Sequence, residues 1–254
     1  MPKFIAIIPA KGREPLLWWT VNRLTSNNIG VICCGHTMSE RVVVEMAGGE
    51  FITCQESKTP LGLKWQLCLD AARKYKPDAI LFVGSSDWVT KNWCDVLYED
   101  IKKGFAMAGK DDCFMVDVGE KNVIRACHWG GYDKKRSNNK NIKDTDGYEV
   151  IGIGRLFGRK FLDMIDWKLF DVTLESSIDY SQMRKLWEYK VNWKGLMISH
   201  NTRQDIKSVS ISTYRWPNKH RFENERKYVT AKDIQYPVRW VKNHFPELEN
   251  LFNY

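Results

Sequence analysis

Ala79-Ile80-Leu81-Phe82-Val83-Gly84-Ser85-Ser86-Asp87-Trp88 is the most hydrophobic short run of the chain, closed by a glycine and small polar residues. An apolar run this short, stopped behind by Gly84 and preceded by Pro77, predicts a central strand buried on both faces. The same pattern recurs upstream. Lys3 to Ala10 reads as a first strand, Gly30 to Gly35 as a second and Glu50 to Gln55 as a third. Between them lie helical spacings: Leu16, Leu17, Val21 and Leu24 after Pro15, then Met38 to Met46, then Leu63, Leu67, Leu69 and Ala71 within Leu61 to Tyr75. Pro77 ends the third helix, and Trp93 to Lys103 supplies a fourth. Strands alternating with helices predict a mostly parallel sheet covered on both faces, with ligands at the carboxyl ends of its strands.

Beyond Gly104 the rhythm changes. Phe105 to Val118 and Val123 to Trp129 read as strands, and the polar stretch from Tyr132 to Tyr148, with Lys134, Lys135 and Arg136, reads as an exposed loop. Order resumes at Ile151 to Phe157, followed by a short helix at Lys160 to Asp166, a longer one at Glu175 to Tyr189 and a strand at Gly195 to Ser199 that runs into His200.

A chain of 254 residues with 43% hydrophobic and 28% charged residues has the proportions of a globular protein, which excludes disordered and collagenous classes. Seven cysteines without C-x-x-C spacing argue against zinc and disulfide frameworks, and no apolar run approaches a membrane span, so a cytoplasmic enzyme is expected. The net charge of +8 is concentrated in the last quarter: Arg184 to Lys242 holds 14 Lys/Arg against 5 Asp/Glu. Trp187, Trp193, Tyr214, Trp216 and Tyr228 are interleaved with that charge, a pattern that suits a polyanion or a phosphorylated substrate as well as a solvated face.

Several segments, in order, resemble the nucleotide-sugar-dependent glycosyltransferases of the GT-A fold, in particular the inverting, family-2-like group. They are Ile7-Ile8-Pro9-Ala10, Pro60-Leu61-Gly62-Leu63-Lys64, Gly84-Ser85-Ser86-Asp87-Trp88-Val89, Gly152-Ile153-Gly154-Arg155-Leu156-Phe157, Leu174-Glu175-Ser176-Ser177-Ile178-Asp179-Tyr180 and Met197-Ile198-Ser199-His200. The resemblance implies an α/β fold, a GT-A (Rossmann-like) single domain with a central mostly parallel sheet flanked by helices. Residues 1–104 would form the nucleotide-sugar-binding half, 105–200 the acceptor-binding half, and 201–254 a basic, aromatic extension packed on the same domain.

Ser85-Ser86-Asp87 occupies the place of the family's metal motif, where carboxylate oxygens hold Mn2+ or Mg2+ against the leaving diphosphate. Asp87 is the one acid there, and an Asp at a strand-to-helix turn can equally be a cap. His200 matches the late histidine that completes the metal site, although a lone histidine also serves as a structural residue. Glu175 and Asp179 match the acidic motif that supplies the general base of inversion, with Asp179 favoured and Glu175 positioning it should the helix start early. Both could also be surface carboxylates near Arg184 and Lys185. Pro9, Ala10, Arg13, Lys58, Gly62, Lys64, Ser85 and Ser86 match the donor site, and Gly152, Gly154, Arg155 and Trp88 the acceptor side. Where the family has an acid after the second strand this chain has Cys34-Gly35-His36, so the resemblance assigns no nucleobase.

The implied partners are a nucleoside-diphosphate sugar and an acceptor hydroxyl, and the basic C-terminal quarter favours a hydroxymethylated pyrimidine in DNA, of the kind some viruses modify. A glycan or other small acceptor is the alternative. Ile7 to Arg13 also resembles sugar nucleotidyltransferases without their longer glycine-rich loop, and a non-catalytic nucleic-acid-binding protein would account for the charge alone.

Overall fold

The computed structural model describes residues 3–55, 59–110, 112–117, 122–127, 150, 152–176, 178–192, 198–201, 203, 205–212, 232–234 and 237–246. The polar stretch 132–148, Lys58 and the aromatic residues Trp193, Tyr214, Trp216 and Tyr228 lie outside the described residues.

The first half is a run of alternating units: β1 (Phe4–Pro9), α1 (Glu14–Ser26), β2 (Gly30–Gly35), α2 (Met38–Met46), β3 (Glu50–Thr53), α3 (Leu61–Arg73) and β4 (Ala79–Phe82). Then come β5 (Asp87–Val89), α4 (Trp93–Lys102), β6 (Met107–Gly109), β7 (Asp112–Asp117) and β8 (Asn122–Cys127). The remainder supplies β9 (Leu156–Gly158), α5 (Arg159–Met164), α6 (Ile178–Asn192), β10 (Ile198–His200), β11 (Ser208–Ser212), β12 (Lys232–Ile234) and α7 (Pro237–His244).

A seven-stranded sheet runs β10-β6-β9-β4-β1-β2-β3, parallel throughout except for β9. Strand β4 is the middle strand, and β1 is an interior strand beside it, paired with β2 on one side and β4 on the other. Its uninterrupted apolar sequence follows from that position. Phe4, Ala6 and Ile8 join the core shared with Leu17, Val21, Val44 and Leu97, while Ile5 and Ile7 join the opposite core with Cys68, Leu69, Phe161 and Met183. Alternate residues of a two-faced strand must both be apolar, because water reaches neither face. The α/β class, the mostly parallel sheet and the flanking helices therefore stand as expected.

Local signals place the helix starts. Thr37 and Glu40 form a reciprocal capping box at α2, and Pro60 precedes α3. Lys76 takes a left-handed conformation (φ 49°) after α3, just ahead of Pro77.

Two expectations need correction. Phe105 to Val118 is not one strand: β6 belongs to the seven-stranded sheet and β7 to a second sheet ordered β12-β8-β7-β11-β5. The long helix begins at Ile178 rather than Glu175, so Glu175 lies in an exposed bend ahead of it and shares no helix face with Asp179. Asp171 and Thr173 in the preceding turn already bond to each other, which holds that segment in a non-helical conformation.

Candidate active site at the sheet's carboxyl edge

The chain leaves β1 for α1 on one side of the sheet and returns through β4 on the other, so the strand order reverses between β1 and β4. A crevice opens at such a switch point, lined by the loops that follow the two strands. Those loops are Ala10 to Arg13 and Val83 to Ser86. They are joined across the crevice by the Arg13 guanidinium, which donates to Ser86 Oγ at 3.2 Å.

Each loop is held by buried polar groups. Gly12 and Arg13 are both left-handed (φ 64° and 60°). The Gly12 amide donates to Glu40 Oε1 at 2.6 Å, and the amides of His36 and Thr37 donate to Glu40 Oε2 at 2.8 and 3.0 Å. Burial alone would raise the Glu40 carboxyl, yet these backbone donors outweigh it and hold its pKa below the ordinary carboxylate range. Glu40 thus caps α2 and also fixes the loop that aims Arg13. Lys64, expected at the donor phosphates, is buried and donates from Nζ to the Ala10 carbonyl at 3.0 Å. Pro9 and Ala10 form the floor beside it, with the Ala10 amide bonded to the Cys34 carbonyl.

After β4, Asp87 turns back so that Oδ2 accepts from the Gly84 amide at 3.1 Å, and the Asp87 amide donates to the Gly84 carbonyl. Oδ1 has no hydrogen bond among the described residues. Ser85 and Ser86 are buried beside it. Trp88, expected to meet the acceptor, is only 1% exposed: its indole donates to Thr20 Oγ1 at 3.0 Å, and the Arg23 guanidinium lies over its ring. It offers no surface to an acceptor in this conformation, because a large apolar ring beside α1 is most stable out of water. Burial lowers the Arg23 pKa to about 10.

Gly62 also has a different part from the expected one. A Cβ there would overlap the Asp171 carbonyl oxygen, and the Gly62 amide donates to the Leu174 carbonyl at 2.8 Å. The close approach that requires glycine is thus to the 171–174 segment of the protein, not to a ligand.

The second half of the edge is assembled from distant segments. Gly152 faces Asp179 so closely that a Cβ there would lie 3.1 Å from Asp179 Cβ and 3.6 Å from Oδ2. Arg155, expected at the acceptor, is 1% exposed. Its guanidinium donates to the Val150 carbonyl, the Asp179 carbonyl (2.7 Å) and Gln182 Oε1 (2.8 Å). It therefore ties the 150–155 loop to the first turn of α6 and positions Asp179. Gly154 packs on Trp93, whose indole donates to its carbonyl, and its own amide donates to Phe82. His200 ends β10 opposite Gly109. Its neighbours Ser199 and Asn201 both donate to Asp100 Oδ2, at 2.7 and 3.0 Å. Burial raises the Asp100 carboxyl, but these bonds and Lys103 bring it below the usual range.

Glu40, Asp100 and Thr20 were not among the candidates from sequence. Thr37-Met38-Ser39-Glu40 matches a capping box and could have flagged Glu40. Nothing local marks Asp100 or Thr20, whose partners lie 99 and 65 residues away.

Among the described residues no three His, Cys, Asp or Glu side chains group as metal ligands. Asp87 supplies one carboxylate with one uncommitted oxygen. That donor set fits a hard divalent cation completed by diphosphate oxygens and water, and does not fit an all-protein metal cage. Among the described residues no helix is long and apolar enough to cross a membrane.

No protein-family model matches the chain, and no curated protein is similar to it in sequence. Solved structures are similar in fold. Glucosyl-3-phosphoglycerate synthase from Mycobacterium tuberculosis, in complex with Mg2+ and uridine diphosphate, superposes with a TM-score of 0.51 at 9% identity over 96% of this chain and 79% of that one. 4-Diphosphocytidyl-2C-methyl-D-erythritol synthase from Anaerococcus prevotii (TM-score 0.46, 10% identity, 89% and 98% coverage) also matches. So does the inositol-1-phosphate CTP transferase of T. maritima (0.44, 12%, 89% and 96%). The last two scores are too low to carry weight. The first, with the sheet order above, gives the chain a GT-A-like α/β fold.

Proposed function

We propose that the protein is a glycosyltransferase that moves a sugar from a nucleoside-diphosphate sugar to an acceptor hydroxyl. The observation that carries this reading is the convergence, at one edge of a GT-A-like sheet, of the Arg13–Ser86–Asp87 cluster at the strand switch and of Asp179 against Gly152. The first suits a diphosphate and the second suits the sugar-acceptor junction. In this reading residues 1–104 hold the donor, 105–200 the acceptor, and 201–254 pack on the same domain.

Arg13 spans the crevice to Ser86, and its fork can turn to phosphate oxygens there. Asp87 would hold Mn2+ or Mg2+ through its uncommitted oxygen, with His200 as a second ligand. That ion, when bound, neutralises charge on the departing diphosphate. Asp179 takes the proton of the acceptor hydroxyl as it attacks opposite the diphosphate, and the product is inverted. Gly152 leaves room at its carboxylate, and Arg155 keeps the first turn of α6 in place.

For the acceptor, the basic stretch from Arg184 to Lys242 favours a polyanion, and hydroxymethylated pyrimidine DNA is the acceptor we put first. A glycan or other small acceptor is the alternative.

Thermal stability against nucleoside diphosphates and sugar nucleotides, with and without Mn2+, tests the donor half. A ligand at about 100 times its dissociation constant adds about 2.7 kcal/mol, which at about 2–4 °C per kcal/mol is a shift of several degrees. A metal-dependent shift with one nucleotide, lost in Asp87→Ala, supports the reading. No shift with any nucleotide sinks it, and pyrophosphate released from a nucleoside triphosphate would replace it with nucleotidyl transfer. Label transfer from the donor so identified to hydroxymethylated DNA, compared with oligosaccharides, decides the acceptor.

A further inference from the structure

Strand β11 reads Ser208-Val209-Ser210-Ile211-Ser212, an alternation of small polar and apolar residues. Such alternation ordinarily marks a strand with water on its polar face. Water does not account for it here, because Ser208 and Ser210 are 1% and 7% exposed and Val209 between them is fully buried. A hydroxyl taken out of water needs a polar partner. Ser208 Oγ is nevertheless buried without one, and Ser210 makes no hydrogen bond among the described residues.

Strand register identifies what the serine face meets. Strand β11 runs antiparallel to β5, with Ser208 opposite Val89, Val209 opposite Trp88 and Ser210 opposite Asp87. The Thr90 amide donates to the Lys207 carbonyl at 3.0 Å, so Thr90 and Lys207 are a hydrogen-bonded pair. Pair types alternate along an antiparallel ladder, which makes Asp87 and Ser210 a non-hydrogen-bonded pair, the kind whose side chains stand closest. Directly opposite residues project to one face, with Cβ atoms roughly 4.5–5.5 Å apart. The Ser210 side chain is therefore beside the Asp87 carboxylate, whose Oδ2 is held by the Gly84 amide and whose Oδ1 has no hydrogen bond among the described residues.

We propose that, given the cation role of Asp87 above, Ser210 supplies a further protein oxygen to the same divalent ion.

A hard cation takes neutral oxygens together with carboxylate oxygens, and neighbouring ligands of an octahedral ion stand about 3 Å apart. Asp87 Oδ1 and Ser210 Oγ, carried on facing Cβ atoms, can span that separation. Neither oxygen has to give up a hydrogen bond seen among the described residues to do so. One carboxylate and one hydroxyl leave the other positions to diphosphate oxygens and water. The segment beyond residue 200 then takes part in the donor half through β11, in addition to packing on the domain.

Mn2+ alone, titrated into the metal-free full chain and followed by loss of the free ion's paramagnetic resonance signal, tests this, and the metal-free Tm of each variant reports its fold. The wild type should bind Mn2+, and Asp87→Ala should abolish binding. Ser210→Ala should weaken the Mn2+ Kd by about tenfold. Ser210→Asp, which sets a second carboxylate opposite the first, should tighten it. Ser210→Cys should bind Cd2+ more tightly than the wild type and Mn2+ more weakly, because a thiolate is a soft ligand. A residue that only packs cannot produce that exchange. An unchanged Mn2+ Kd in Ser210→Ala, with Cd2+ affinity unmoved in Ser210→Cys, overturns the role of Ser210 and leaves that of Asp87 standing if Asp87→Ala still loses the ion. Absence of Mn2+ binding by the wild type overturns both roles. Nucleotide enters none of these measurements, and its thermal shift decides the transferase reading separately.

Discussion

The two ends of the candidate site are built in opposite ways. The proposed donor side is made of consecutive β-α-β units, and its loops leave the carboxyl ends of β1 and β4, which pair directly in the sheet. The proposed acceptor side gathers Gly109, Gly152 to Arg155, Asp179 and Ser199 to Asn201 from across more than a third of the chain, and buried polar clamps centred on Arg155 and Asp100 hold them together. A parallel sheet supplies its own carboxyl-end loops, whereas a site completed by distant segments needs explicit ties, since no shared strand register sets their positions.

The sharpest break between the two sides is chemical. Asp179→Asn should lower transfer by about 10²–10⁴-fold, the usual range for loss of a general base, while leaving the nucleotide-induced thermal shift unchanged. Steady-state rates and thermal shift on the same sample measure both. A comparable loss of the shift would mean that Asp179 binds donor, and the division into two sides would fail.

Next in size is Arg155→Ala. It strands the Val150 and Asp179 carbonyls and Gln182 away from water, and each unsatisfied buried group costs about 1–3 kcal/mol. A total of about 3 kcal/mol or more corresponds to a fall of roughly 6–12 °C in Tm at ~2–4 °C per kcal/mol. Calorimetry should show it, with increased proteolysis near 150–155 and 178–182 and little change around Gly12.

Gly62→Ala tests the contact between α3 and the 171–174 segment. Its methyl group must displace the Asp171 carbonyl, and overpacking of this kind costs about 1–3 kcal/mol. Because the contact is to protein, the Kd for nucleotide at a temperature where the variant is folded should stay within about twofold. A much larger change in Kd would return Gly62 to the donor pocket.

The smallest effect belongs to Glu40→Gln, which replaces one of two acceptor oxygens by a donor and should cost about 1–2 kcal/mol near neutral pH. The folded-state pKa of Glu40 is depressed, so its contribution is present above the unfolded value of about 4.3 and is lost as pH falls through the lower folded value. Acid unfolding should therefore be shallower below pH ~4 in the variant than in the wild type. Parallel curves would show that the carboxylate contributes no charge-dependent stability.

Legibility in the sequence followed the same division. Strands β1 to β4 and helices α1 to α4 are apolar runs of the right period, closed by Gly35, Gly84, Pro77 or Gly104, and such local punctuation survives folding unchanged. Strand β5 gives no such signal: three residues after a turn become a strand because β11, about 120 residues away, pairs with them. Trp88 and Arg155 carry residue types common at ligand sites, yet both are interior, since Thr20 and Arg23 cover the one and Val150, Asp179 and Gln182 engage the other. The placement of Asp87 after the β4 strand could be read from the chain, whereas the helix start at Ile178, just ahead of Asp179, was fixed by the turn before it. The proximity of Gly152 to Asp179, and of Arg13 to Ser86, could not be read from the chain.

By itself, then, the order of residues determined the alternation of strands and helices, the two-faced burial of the central strands and the edge at which polar loops collect. These depend on hydrophobic periodicity and on Gly and Pro backbone limits, which act over a few residues. The tertiary structure alone decided which polar groups remain for a ligand and which are consumed as internal ties. A charged side chain removed from water is stable only with partners, and its partners here come from segments that meet only when the sheet has formed.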